Sequence, residues 1–297
     1  MTFLSAAAFR FSSTAALSLA LFAATAQASD QANPAATRIV SIGGTVTEIL
    51  YDLGADSRIV AVDTTSTYPA PAAGKPNVGY MRQLSAEGIL AQTPDLVLTE
   101  DGAGPPDALA ILSASAVPMV TIATPPRGDA IPQKIRDVGK AVGLSDKANA
   151  LAETVDADLK ALAKTVAGLD ATKKKRVMFV LSLANGRVMA GGTDTEANAI
   201  IELAGGINAA SSVSGYKPLN DEAVIAAAPD VVLVMNRGSH LATPEQVFGL
   251  PAFQSTPAAA SKALLSMDGL YLLGFGPRTP EAARMLGSKL YPDVIKP

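Results

Sequence analysis

Short β-branched runs alternate with amphipathic stretches along most of the chain, the pattern expected of parallel sheets covered by helices on both faces. Strands are predicted near Arg38–Ser41, Ile59–Val62, Leu96–Thr99 and Met119–Ile122, and again near Val177–Leu181, Val231–Met235 and Leu264–Met267. Pro94 and Pro229 each stop a helix just ahead of one of these strands, because a residue with no N–H and a fixed φ cannot extend the helical ladder. Between the two groups, Ser145 to Leu169 is rich in Ala, Leu, Lys, Asp and Glu and free of glycine and proline until Gly168. Its Leu151, Val155, Leu159 and Leu162 recur at helical spacing and predict one long helix. A single rigid helix between two lobes permits only small changes in their angle, so a cleft between them would be largely pre-formed.

Two strings of the first half reappear in the second. Gly43-Gly44-Thr45-Val46-Thr47-Glu48 returns as Gly191-Gly192-Thr193-Asp194-Thr195-Glu196. Leu84-Ser85-Ala86-Glu87-Gly88-Ile89-Leu90, running into Pro94-Asp95-Leu96-Val97-Leu98, returns as Leu219-Asn220-Asp221-Glu222-Ala223-Val224-Ile225, running into Pro229-Asp230-Val231-Val232-Leu233. Two collinear matches indicate a duplicated unit. The predicted fold is therefore α/β, with two similar Rossmann-like lobes over residues 29–144 and 171–297 joined by a helix over 145–170.

The first 28 residues stand apart. Met1, one early cation at Arg10, an apolar run from Ala15 to Ala24 and the small-residue triplet Ala26-Gln27-Ala28 are the layout of a cleavable secretory signal. The run is short for a bilayer core, preceded by the polar Ser12, Ser13 and Thr14 and broken by Ser18, and no later stretch stays apolar long enough to cross a membrane. The chain has no cysteine, which removes disulfides, thiolate metal sites and a lipid-bearing cysteine at the cleavage point. Cleavage would remove Arg10 alone of the 24 Lys and Arg residues and none of the 27 acidic ones, leaving a mildly acidic protein. Only Lys173, Lys174, Lys175 and Arg176 cluster, so there is no basic face for nucleic acid. A periplasmic monomer is the expectation.

In open α/β sheets a ligand crevice lies beyond the carboxyl ends of the strands. The most distinctive loop there runs from Thr64 to Leu84 and contains Tyr68, several prolines and Gly79-Tyr80-Met81-Arg82-Gln83-Leu84. A guanidinium beside a phenolic oxygen favours phenolate, a hard anionic donor suited to ferric iron. By spacing alone, a tyrosine in a proline-rich loop is more often a half-buried packing residue. No catalytic constellation stands out: one histidine is available and no serine sits in a nucleophile elbow.

Four strings change that balance: Arg38 to Ile49, Val78 to Leu90, Ile200 to Gly206 and Gly215 to Leu219. With them, nearly the whole chain after the signal resembles the periplasmic haem-binding proteins of bacterial haem ABC importers, a branch of a wider fold family that also binds cobalamin and ferric siderophores. The resemblance implies a binding protein, not an enzyme. It captures haem (ferric protoporphyrin IX) between the lobes and delivers it to the importer's transmembrane permease; another iron chelate or a corrinoid is the alternative. It makes Tyr80 the axial iron ligand, with Arg82 supporting it. Some relatives place a second-lobe histidine on the opposite haem face; the corresponding loop here, Ser182-Leu183-Ala184-Asn185-Gly186, has none, so five-coordinate iron or an opposite water is expected. It sets Arg237 beside the haem, where an arginine can engage a propionate; a surface arginine after a strand is an equal reading. His240 is the lone histidine, read as solvated. Tyr216 aligns with Tyr80 across the repeat, but Lys217-Pro218 replaces Met81-Arg82, so it is read as a pocket wall. Met81, Met189 and Met235 are read as packing, and Arg278 as a minor candidate. Relatives also present one glutamate from each lobe to importer arginines. Glu48 and Glu196 are the expected pair, at matching helix starts, with Glu202 the alternative when the helices are aligned from Gly54 and Gly205.

Overall fold

The computed structural model describes residues 33–183, 186–236 and 242–297. In the first lobe, β1 (Ile39–Ile42), β2 (Ile59–Val62), β3 (Leu96–Glu100) and β4 (Met119–Ile122) form a parallel sheet in the order β2-β1-β3-β4. In the second lobe the strands are β5 (Arg176–Ser182), β6 (Val188–Gly191), β7 (Ile207–Asn208), β8 (Tyr216–Leu219), β9 (Val231–Asn236) and β10 (Leu264–Asp268). Their order is β10-β9-β5-β6-β8, with β7 pairing β5.

Every predicted strand is present within two residues. The expectation of a second, wholly parallel sheet is corrected, because β6 runs antiparallel to both β5 and β8. The physical reason is placement. Strands β1, β3, β5 and β9 are sandwiched between helical layers and read as continuous apolar runs. Strands β6 and β8 lie toward the sheet edge, are four residues each, and carry Gly191, Lys217 and Pro218; proline is tolerated in an edge strand.

The duplication holds for one repeated string and fails for the other. Ahead of β3, Asp95 accepts from the Arg38 N–H at 2.9 Å, and the Arg38 guanidinium donates to the Thr93 carbonyl at 2.8 Å. Ahead of β9, Asp230 accepts from the Arg176 N–H at 2.8 Å, and Arg176 donates to the Ala227 carbonyl at 2.9 Å. The preceding helices, Ala86–Leu90 and Asp221–Ala227, are capped alike by Ser85 and Asn220. By contrast, Gly43-Gly44 opens the helix Gly44–Asp52 directly, whereas Gly191 ends β6 and the second helix, Glu196–Leu203, starts only after Thr195. Glu48 thus sits inside its helix while Glu196 is the first residue of its own, and their expected equivalence is overturned.

Between the sheets runs one helix, Ser145–Ala167, of 23 residues, about 34 Å long at 1.5 Å per residue. Its buried face comprises Ala148, Ala152, Val155, Leu159 and Leu162, so the apolar stripe is rotated toward small residues and the predicted Leu151 is only half-buried. Those alanines let the antiparallel helix Ile131–Ala141 approach closely: a β-carbon on Gly139 would collide with the Ala148 methyl. Gly139→Ala is therefore expected to destabilise the protein by about 1–3 kcal/mol through overpacking, measured by urea unfolding. One buried cluster spans both lobes, joining Ile49 and Ile135 to Val155, Ile200, Leu272 and Phe275. Smaller clusters fill the outer faces of the two sheets. Among the described residues, no helix is long and apolar enough to cross a membrane.

Candidate functional site

The parallel strands of both lobes end at the cleft, and the loop after β2 is built there from its base upward. Asp63, 1 % exposed, accepts from the N–H groups of Gly43 (2.9 Å) and Thr65 (3.0 Å) and from the Ser66 hydroxyl (3.0 Å). Ser66 continues through Thr47 to Ser41 in a buried hydroxyl chain with 2.7 Å steps. The returning segment pairs back on β2, with Val78 N–H donating to the Val62 carbonyl and Thr64 N–H to the Gly79 carbonyl, each at 2.9 Å. Gly79 has φ 95°, a conformation that favours glycine, and delivers the chain into a tight turn closed by Gln83 N–H on the Tyr80 carbonyl at 2.7 Å. Val78, Met81 and Leu84 are buried on the first-lobe core. Tyr80 is left at the tip, 42 % exposed. The turn is thus fixed from below while the phenolic oxygen stays accessible.

Arg82 is exposed on the same turn, and among the described residues no hydrogen bond joins it to Tyr80. Its charge reaches Tyr216 of the second lobe. Burial, together with the Glu196 carboxylate, pushes the Tyr216 phenol far above its usual range, with Arg82 pulling weakly the other way. The Tyr216 hydroxyl donates to Glu196 at 3.1 Å and its ring meets Phe179 edge-on. Its hydroxyl is thus held as a hydrogen-bond donor to Glu196. Arg237, His240, Ala184 and Asn185 lie outside the described residues. Of the three methionines read as packing, Met81 is buried and Met189 and Met235 are half-buried.

At the cleft floor the lobes are joined by polar contacts that sequence reasoning missed. The Thr45 hydroxyl donates to the Gly274 carbonyl at 2.6 Å, and the Lys134 ammonium to the Phe275 carbonyl at 2.9 Å. Arg278 grips Glu48 with two bonds, Nε to Oε1 at 3.0 Å and Nη2 to Oε2 at 2.7 Å. Glu100 accepts from the N–H groups of Thr45 and Val46 at 3.0 Å, stabilising a helix start that has no side-chain cap. Burial pushes Glu100 up against the opposing pull of Lys134, and pulls Lys134 down against that of Glu100. These residues lie far apart in sequence, and Gly274 and Gly276 permit the close approach, so no local signal announces it. At the rim, a recess of about 430 Å³ is lined by Thr67 and Tyr68 of the first lobe and Asp268, Tyr271, Arg278 and Glu281 of the second.

Two of the three expected docking glutamates are engaged within the fold. Glu48 is 3 % exposed and committed to Arg278, and Glu196 is half-buried and bonded to Tyr216. Glu202 is exposed, but no repeat partner matches it. Glu87 and Glu222, which do match, are both exposed in the first turns of the helices that begin at the cleft side.

A family profile described as periplasmic binding protein matches residues 39–270. The periplasmic heme-binding protein RhuT from Roseiflexus sp. RS-1, in apo form, is 39% identical with a TM-score of 0.81, covering 86% of this chain and 98% of that one. The periplasmic heme-binding protein HutB of Vibrio cholerae is 34% identical with a TM-score of 0.77, covering 86% of this chain and 99% of that one. A stretch of 85 residues is 35% identical to the vitamin B12-binding protein of Yersinia pestis, covering 29% of this chain and 30% of that protein.

Proposed function

Because this chain belongs to the periplasmic binding protein family, we propose that it captures haem between its lobes and hands it to an inner-membrane ABC importer. The observation that carries this reading is Tyr80, a phenol left bare on a turn anchored by the buried Val78, Met81 and Leu84 and by backbone hydrogen bonds. The likeness to haem-binding relatives extends over 86% of the chain. In this reading Tyr80 ligates the ferric iron, Tyr216 and Arg82 line the pocket, and Arg237 engages a propionate. Residues 1–28 direct export, and the mature protein works in the periplasm as lobes 29–144 and 171–297 about the helical segment 145–170.

A corrinoid is favoured over haem by the 85-residue match alone. Titrating the purified protein with hemin and, separately, with cyanocobalamin decides between them. An intense Soret band that saturates with hemin, and no binding of cyanocobalamin, supports haem; the reverse result sinks it.

Docking to the permease is assigned to Glu87 and Glu222, one exposed carboxylate per lobe at equivalent positions. An apolar recess of about 600 Å³ lined by Leu84, Leu90 and Ile111 opens beside Glu87. Glu87→Lys with Glu222→Lys is expected to leave hemin affinity unchanged and to reduce uptake by reconstituted importer at least about tenfold, since like-charge juxtaposition at an interface costs several kcal/mol. Unchanged uptake would remove these two residues from the interface.

A further inference from the structure

The loop that carries Tyr80 is held at its outer end by a residue of the opposite lobe. The Arg278 guanidinium lies 3.4 Å from the centroid of the Tyr68 ring and 5.2 Å from that of Tyr271. Tyr68 is on the same loop as Tyr80, ahead of it in the chain. We propose that Arg278 is a positioning residue for the ligand site, acting through the Tyr68 ring to hold the 63–84 loop in the conformation that presents Tyr80. This rests on the haem reading above.

Three observations support the role. First, the guanidinium is itself immobile: it is bound through two atoms to a carboxylate whose side chain is 4 % accessible. The segment behind it is fastened to the first lobe through Thr45 and Lys134. Second, the Tyr68 ring is 41 % exposed, and among the described residues its hydroxyl makes no hydrogen bond, so the stack on Arg278 is what fixes it. Third, hydrogen bonds from Thr67 to Lys75 stay within the loop, save Lys75 on the Ile59 carbonyl of its own lobe. Among the described residues no hydrogen bond joins this half of the loop to the second lobe, and the Tyr68–Arg278 stack spans that gap. A flat guanidinium can use its edge on a carboxylate and its face on a ring at once, which an ammonium cannot.

The test is hemin titration with absorbance and resonance Raman readout on Tyr68→Phe, Tyr68→Ala, Arg278→Lys and the Tyr68→Ala/Arg278→Lys double variant, beside the unaltered protein and Tyr80→Ala. Tyr68→Phe keeps the stack and should bind within about twofold of the original. Tyr68→Ala should weaken hemin roughly tenfold, the size of one well-formed cation–π contact, and shift the tyrosinate-to-iron charge-transfer band. Arg278→Lys should do likewise, and the double variant should be no worse than Tyr68→Ala, because Arg278 acts through the ring. Three results overturn the proposal: unchanged affinity and spectrum in Tyr68→Ala, losses that multiply in the double variant, or a Tyr68→Phe loss equal to that of Tyr68→Ala. Tyr68→Ala removes an exposed ring and leaves the Glu48 pair intact, so it is the deciding variant. Binding that depends on Tyr80 but not on Tyr68 defeats the positioning role alone; no hemin binding by the unaltered protein defeats the haem reading as well.

Discussion

Tyr80→Ala is expected to lower hemin affinity by at least about a hundredfold and to abolish the tyrosinate-to-iron charge-transfer band, while leaving far-ultraviolet dichroism and the melting curve unchanged. The magnitude follows from comparison: outer-shell partners of a metal ligand are commonly worth about 10- to 100-fold in affinity, and an axial ligand is worth more. Structural silence follows from placement. Tyr80 is 42 % exposed, and the turn beneath it is fixed by Gly79, Met81, Gln83 and Leu84 through backbone bonds and core contacts that the substitution does not touch. Hemin titration followed by absorbance reads the first effect and a thermal melt the second. Full affinity with an unaltered spectrum would show that the iron is held elsewhere.

Arg278→Ala should have the largest effect on stability. Glu48 would remain buried with neither carboxylate oxygen paired to a cation, and breaking a buried pair on one side costs about 3–5 kcal/mol. For a chain of this size that is about 10 °C in melting temperature. Replacing both partners, Glu48→Leu with Arg278→Met, should recover most of the loss, because the penalty comes from the stranded charge. The deficit should also depend on pH. Asp52 is solvent-exposed but flanked by the protein on one side, and partial desolvation there together with the Glu48 charge pushes it up to about 6, with Arg278 pulling it down. A carboxyl whose folded pKa lies above its unfolded value of about 3.9 is ionised at a cost, absent below about pH 4 and complete above about pH 6. Without Arg278 that cost grows, so the variant should lose more stability at pH 7.5 than at pH 5, read from urea midpoints at the two values. An equal deficit at both would exclude coupling between Arg278 and the Asp52 carboxyl.

The fold was legible where burial on two sides imposes a continuous apolar run, as in β1, β3, β5 and β9. It was not legible in β6, β7 and β8, which are two to four residues long and carry glycine, asparagine, lysine or proline. Repetition was a sound guide when the repeated residues share one physical role, since Pro94-Asp95 and Pro229-Asp230 both start parallel strands and clasp an arginine. It misled at Gly191 to Glu196, where a similar string ends an antiparallel strand and enters its helix later. Tyr80 stood out through its glycine and its resemblance to a known string. The Glu48–Arg278 pair, separated by 230 positions, required three dimensions. So did the exchange of partners that gives Glu196 to Tyr216 and leaves Glu87 and Glu222 facing solvent.

The apolar cluster running through both lobes sets how cargo can leave. Prising the halves apart would hydrate Ile200, Leu272 and Phe275, at about 25 cal/mol for each square ångström uncovered, and would tear the Thr45, Lys134 and Glu48 contacts at the same time. On the haem reading, the cargo would depart either by slipping over the lip after its bond to iron is exchanged, or through mechanical work done by an importer on a clamp that does not yawn by itself.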